Sequence, residues 1–113
     1  MSPSAQNTVR DFTFGRCVIQ ASARQLLVDG QPARLGARAF DVLMALVQRR
    51  DGVISKNELL DAIWANQFVE ESNLTVHVST LRKTLGEVRG ENRFILTVPG
   101  KGYKFIGEER EAE

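Results

Sequence analysis

The hydrophobic period of this chain changes twice along its length, and that order constrains the fold more than any other feature. Up to about residue 35 the apolar positions come in short pieces, "FTFG", "CVIQA", "RQLLVDG" and "PARL", separated by Gly, Ala-Ser and the turn-like "DGQP". Alternating or β-branched pieces of this kind predict a small antiparallel sheet of up to four strands. From Gly36 the spacing becomes helical and stays so to about Leu85. Beyond Gly86 and the polar "EVRGEN", the runs "RFILTV" and "GYKFIG" are β-rich again on either side of "PGKG", which predicts a hairpin. Strands, then helices, then a hairpin describe an α+β domain.

Three helices account for the middle segment. "GARAFDVLMALVQRR" places Phe40, Leu43, Met44 and Val47 on one face, and "RRDG" closes it with basic residues at the negative end of the helix and Gly52 as the stop. In "VISKNELLDAIW", Ser55 and Glu58 have the spacing of a capping box, in which each satisfies an orphaned backbone N–H of the other. A second helix therefore starts at Ser55, with Leu59, Leu60, Ile63 and Trp64 on its apolar side. After the connection "ANQFVEE", "SNLTVHVSTLRKTLG" forms a third helix over residues 72 to 85, with Glu70 and Glu71 beside its positive end.

The third helix has two unlike faces. At about 100° per residue, Leu74, Val78, Leu81 and Leu85 fall on one narrow stripe suited to the core. Ser72, Val76, Ser79, Thr80 and Lys83 gather opposite. A merely solvated face would carry Glu and Lys, the good helix formers, rather than small hydroxyls and a valine. Such a face calls for a partner.

Charge says what sort of partner. The 113 residues carry a net +1, unevenly spread. Residues 1–71 balance eight Lys/Arg against eight Asp/Glu, whereas residues 72–106 set Arg82, Lys83, Arg89, Arg93, Lys101 and Lys104 against Glu87 and Glu91, 6 − 2 = +4. Residues 107–113 carry Arg110 against Glu108, Glu109, Glu111 and Glu113, 1 − 4 = −3. The positive charge thus sits on the third helix and on the loop and hairpin after it, where an anion would be drawn.

Other function classes lack the residues they need. No apolar run approaches the roughly 20 residues of a membrane span, so no membrane contact is expected, and no signal peptide is evident. Cys17 is alone and His77 is the only histidine, which leaves no internal disulfide, no usual structural zinc site and no Ser-His-Asp or Cys-His pair away from His77 itself. Cys17 reads as a small core or strand residue in a reducing cytoplasm. "GKG" lies in a hairpin and lacks the phosphate-loop spacing. The chain is expected to be no enzyme and to need no metal or cofactor.

Two helices joined by a connection, the second basic and followed by a basic hairpin, make a helix-turn-helix with a wing. On this reading the third helix enters a major groove of double-stranded DNA. Asn73, Ser79 and Thr80 are the polar readers, and Val76 is placed to meet a thymine methyl. Arg82 and Lys83 have the length to reach phosphates or a guanine, and Lys101 and Lys104 can grip backbone or a minor groove. His77, on the flank, holds a phosphate or a neighbouring side chain. Trp64 is a packing anchor whose indole N–H can reach a phosphate. Tyr103 and Phe105 pack inward while Lys104 faces out. Arg89 and Arg93 are equally well explained as loop solvation.

The order sheet, helix, helix, connection, "VHVSTLRKTLG" and "ILTVPGKGYKF" resembles the OmpR/PhoB-type winged-helix DNA-binding domain over about residues 12–106. The resemblance implies a winged helix-turn-helix with an N-terminal four-stranded antiparallel sheet, three helices and a C-terminal hairpin wing, with the third helix in the major groove and the wing, residues 94–106, at a minor groove. Carried over by position, its helix contacts fall on Ser72, Asn73, Thr75, Val76, His77, Ser79, Thr80 and Arg82, and its wing contacts on Thr97, Pro99 and, nearby, Lys101. Trp64 matches a backbone-contacting tryptophan, and the 64–71 connection resembles a loop by which relatives touch RNA polymerase. The resemblance also implies tandem copies on DNA in a bacterial transcription regulator of the two-component type. Many relatives have arginines where Ser79 and Thr80 stand, and Pro99 replaces a basic wing residue.

Residues 1–11 are expected to be a flexible leader and 107–113, with "EEREAE", an acidic tail or the start of a linker. With eleven residues before the first strand, the chain is more like relatives that begin with the DNA-binding domain and place a sensor, membrane span or repeat domain after it. The competing reading is a winged helix used for protein–protein contact without DNA.

Overall fold

The computed structural model describes residues 11–50, 52–65, 67–87, 94–107 and, for the backbone, 109–110. The leader to residue 10, Arg89, Arg93 and most of the acidic tail lie outside the described residues. The N-terminal sheet is built from β1 (Phe12–Phe14), β2 (Cys17–Gln20), β3 (Gln25–Val28) and β4 (Gln31–Pro32), antiparallel throughout. Its tight turns are where the chain needs unusual backbone: Asp29 and Gly30, both at positive φ (55° and 80°), form the two-residue link that brings Val28 opposite Gln31. A strand is added that the tail's composition does not suggest. β8 (Glu109–Arg110) pairs with β1, giving the order β4-β3-β2-β1-β8.

The helical period gives α1 (Ala37–Gln48), α2 (Lys56–Ile63) and α3 (Glu71–Leu85). The expected face of α1 is buried at Phe40, Leu43 and Val47, with Met44 half-buried, but Ala39, Val42 and Leu46 are buried as well. Helix α1 touches α2, α3 and the wing, so it is covered on more than one side and its apolar surface wraps accordingly. Its C-terminal end is closed by Arg50, which donates from Nη1 to the Val47 carbonyl at 2.9 Å.

The capping box of α2 is complete. The Ser55 hydroxyl accepts from Glu58 N–H at 3.0 Å, and the Ser55 N–H donates to Glu58 Oε1 at 2.9 Å. Those bonds, the backbone N–H of Ser55 foremost, hold the Glu58 carboxyl below its ordinary value.

The C-terminal hairpin is β6 (Ile95–Val98) and β7 (Gly102–Phe105), joined by Pro99, Gly100 and Lys101. Proline followed by Gly100 at φ +75° is the composition of a type II turn, closed by the Lys101 N–H donating to the Val98 carbonyl at 2.9 Å. The short strand β5 (Ile54–Ser55), just before α2, pairs with β7, so the wing is three-stranded. Gly102 permits that pairing by its lack of a side chain. A Cβ there would collide with the Ile54 carbonyl oxygen and lie 2.8 Å from Ser55 Cα.

The two sheets share one core. Phe14 of β1 meets Phe94 at 5.6 Å and Phe105 edge-on at 5.0 Å between ring centroids. Cys17 is buried, and burial pushes its thiol pKa up, as befits a core residue rather than a nucleophile.

Substitutions test how these elements are held. Ser55→Ala should lower stability to urea by about 1 kcal/mol. Because the folded Glu58 carboxyl titrates below its unfolded value, the cap's contribution is present above the unfolded pKa and fades as pH falls through the folded one. Glu58→Gln, which removes the titrating carboxyl, should therefore flatten the acid side of the stability profile. Gly102→Ala should cost about 3 kcal/mol by overpacking and break the β5–β7 pairing, seen as loss of protection at the paired amides in hydrogen exchange.

Candidate nucleic-acid interface

Burial along α3 follows the sequence stripe. Leu74, Val78, Leu81 and Leu85 are buried, and the opposite positions Ser72, Asn73, Thr75, Val76, Ser79, Thr80 and Lys83 are exposed, Val76 to 60%. Placing a valine in water forgoes the burial that would make it worth having. Among the described residues the side chains of Ser79 and Thr80 hold no internal hydrogen bond, which leaves both hydroxyls for an outside partner. Thr84, by contrast, donates back to the Thr80 carbonyl at 2.9 Å.

The entrance to α3 is firmly set. Trp64, at the end of α2, is almost fully buried and stacks on His77, with ring centroids 5.7 Å apart and an interplanar angle of 28°. Lys56 of α2 approaches Glu71 in the first turn of α3 at 4.0 Å. His77 thus packs on a neighbouring side chain.

On the wing, Lys101 stands exposed at the hairpin tip beside Pro99 and Gly100. Lys104 is half-buried on β7, and Tyr103 and Phe105 pack inward around it as their alternation implies. Thr97 is exposed, yet its Oγ1 accepts a hydrogen bond of 2.6 Å from Arg82 Nη2. Arg82 also donates to the Ile95 carbonyl at 3.0 Å and pairs through Nε with Glu87 Oε1 at 3.2 Å. Arg82 is thus turned toward the wing, and the cations without an internal ion pair on α3 and the described wing are Lys83, Lys101 and Lys104.

Sequence reasoning did not single out two residues. Glu87 enters the charge balance alone, although an acid straight after a helix-ending glycine and near a basic last turn is placed to fold back onto that turn. Phe68 reads from the sequence only as part of a connection. In the structure it is 97% exposed between α2 and α3.

Helices α2 and α3 with the three-stranded wing form a winged helix-turn-helix. The family described as "Transcriptional regulatory protein, C terminal" matches residues 30–105. The chain belongs to this family of OmpR/PhoB-type DNA-binding domains, which regulate transcription and are not enzymes. It is 35% identical over 92 residues to the phosphate regulon transcriptional regulatory protein PhoB of Pseudomonas aeruginosa, covering 80% of this chain and 39% of that protein. With the cholera toxin transcriptional activator of Vibrio cholerae it shares 41% identity over 75 residues, covering 65% of this chain and 26% of the relative. The chain therefore spans well under half the length of these relatives.

Solved structures agree with the fold. The DNA-binding domain of Klebsiella pneumoniae RstA, in complex with the RstA box, superimposes with a TM-score of 0.74 at 28% identity, covering 86% of this chain and 97% of that one. The DNA-binding domain of E. coli CadC gives 0.76 at 28% identity, covering 90% and 96%. No helix among the described residues is long and apolar enough to cross a membrane.

Proposed function

We propose that this chain binds double-stranded DNA sequence-specifically as the DNA-binding domain of a bacterial transcription regulator in the cytoplasm, with α3 in the major groove and the β6–β7 tip at the minor groove. The carrying observation is the polar, small-residue face of α3, which exposes Val76 and the hydroxyls of Ser72, Thr75, Ser79 and Thr80 while its apolar stripe is fully buried. Small side chains let the helix backbone come close to the base edges. Ser72, Asn73, Thr75, Ser79 and Thr80 then supply hydrogen bonds, and Val76 packs on a thymine methyl. Trp64 and His77 shape the entry of α3, while Lys83, Lys101 and Lys104 meet phosphates. The solved relative bound to its DNA box supports the same use of the fold.

A fluorescence titration on a duplex selected from a random pool tests this. Neutralising roughly one phosphate per unpaired lysine, the three should give a slope of log K against log salt near −3. Lys101→Ala should weaken binding on all sequences and shrink that slope by about 1. Val76→Ala should instead lose about 1–3 kcal/mol on the selected site and little on random DNA. Salt-independent affinity, or no DNA binding at all, would favour the competing role as a protein-contact module.

Two copies on adjacent major grooves form the complex we propose, in line with tandem half-sites. The 64–71 connection is proposed to meet RNA polymerase, where Phe68, which stands almost wholly in water, would gain apolar burial. Phe68→Ala should leave DNA affinity unchanged and reduce transcription from a cognate promoter in a reconstituted assay. An equal loss of DNA affinity would remove that role.

A further inference from the structure

The last turn of α3 ends in a way that brings one acid back onto it. Gly86 adopts φ +86°, the left-handed conformation, and its N–H donates to the Lys83 carbonyl at 3.1 Å while the Glu87 N–H donates to the Arg82 carbonyl at 2.9 Å. This is the double bond pattern of a Schellman end, and it turns Glu87 under the helix beside Arg82. The Glu87 side chain is 1% exposed. Its Oε2 accepts from the Phe94 N–H at 2.6 Å and the Ile95 N–H at 3.2 Å, and its Oε1 lies 3.2 Å from Arg82 Nε. Arg82 Nη2 completes the ring of contacts on the Ile95 carbonyl and Thr97 Oγ1, so Ile95 is held at both its N–H and its C=O by one ion pair.

We propose that Arg82 and Glu87 form a positioning clasp that fixes the wing against the recognition helix, and that Arg82 acts on DNA affinity through wing placement rather than as a phosphate contact. The proposal rests on the DNA-binding reading above. Nε and Nη2 face the protein, and Nη2, one prong of the fork that would grip a phosphate, is engaged on β6. The carboxylate is enclosed, so its bonds to two backbone N–H groups are charge-assisted and, like its ion pair with Arg82, shielded from water. The clasp ties the end of the helix to the first residues of β6. Lys101, six residues beyond Ile95, is carried by that strand, and the span between the base-reading face and the wing tip is set at this point.

Two variants separate the roles because they oppose charge and geometry. Glu87→Gln removes a negative charge from the basic side of the protein and releases Arg82, so a phosphate-contact role predicts equal or tighter DNA binding. The clasp predicts the reverse: affinity falling about tenfold, and a smaller cost of Lys101→Ala in the Glu87→Gln background than in the parent. Arg82→Lys keeps the cation and leaves Glu87 a partner, which guards against simple unfolding, yet cannot reach Ile95, Thr97 and Glu87 together. It should fall about as far as Glu87→Gln.

Amide exchange by NMR on the free 113-residue chain reads the clasp without DNA. The Phe94 and Ile95 amides should exchange about tenfold faster in both variants, with α1 amides unchanged. Unchanged exchange at Phe94 and Ile95 overturns the clasp. Faster exchange with equal or tighter DNA binding by Glu87→Gln, or parent-like binding by Arg82→Lys, overturns the positioning role. Absence of salt-sensitive binding by the parent chain instead overturns the DNA-binding reading, a result distinct from either.

Discussion

The packing of one stripe, Leu74, Val78, Leu81 and Leu85, decides how everything outside it is presented. These side chains are buried against a core to which α1 and α2 contribute, and each fully buried leucine or valine is worth about 2 kcal/mol. Rolling α3 by a single residue position, about 100°, would carry leucines into water and hydroxyls into the core. The roll of the helix is therefore fixed by hydrophobic burial. The face it shows is fixed with it, which is why Val76, Ser79 and Thr80 can be small and still be well aimed.

The wing depends on the same core by a different route. Phe94 and Phe105, which flank the hairpin, pack against Phe14 of the first strand, so the N-terminal sheet and the wing share an aromatic contact. Gly102 allows β5 to come close to β7, and β5 runs straight into the cap of α2 through Ser55. Helix α2, the wing and the N-terminal sheet are thus linked through a few residues. The tip at Pro99 to Lys101 projects from a supported base.

Much of this was legible in the sequence because it rests on periodicity and local chemistry. The stripe of α3, the Ser55–Glu58 box, the turn residues of "DG" and "PGKG" and the inward aromatics of β7 all act over a few residues. β5 and β8 were not legible, since two-residue strands have no period and exist only where a partner strand passes. The breadth of burial on α1 depends on how many neighbours cover it. Arg82 shows the limit most clearly: from sequence it is a long cation on a DNA-facing helix, and only the fold shows that Ile95, Thr97 and Glu87 stand within its reach.

That inward turn changes the electrostatic character of the whole interface. With Ser79 and Thr80 on the exposed face and Arg82 held against β6, the described helix and wing keep three lysines without an internal ion pair. Short side chains favour close approach and sequence discrimination, whereas long cations supply most of the non-specific hold on phosphate. On the proposed reading, a single domain of this kind discriminates DNA better than it grips it. Joining a second copy on the next groove to the first, by a linker or a shared contact, would raise the effective concentration of each, into the millimolar range for a short linker, without any new base contact. The tandem arrangement proposed above would compensate for a helix with so few free cations, and a strongly salt-dependent single domain is not what this surface is built to be.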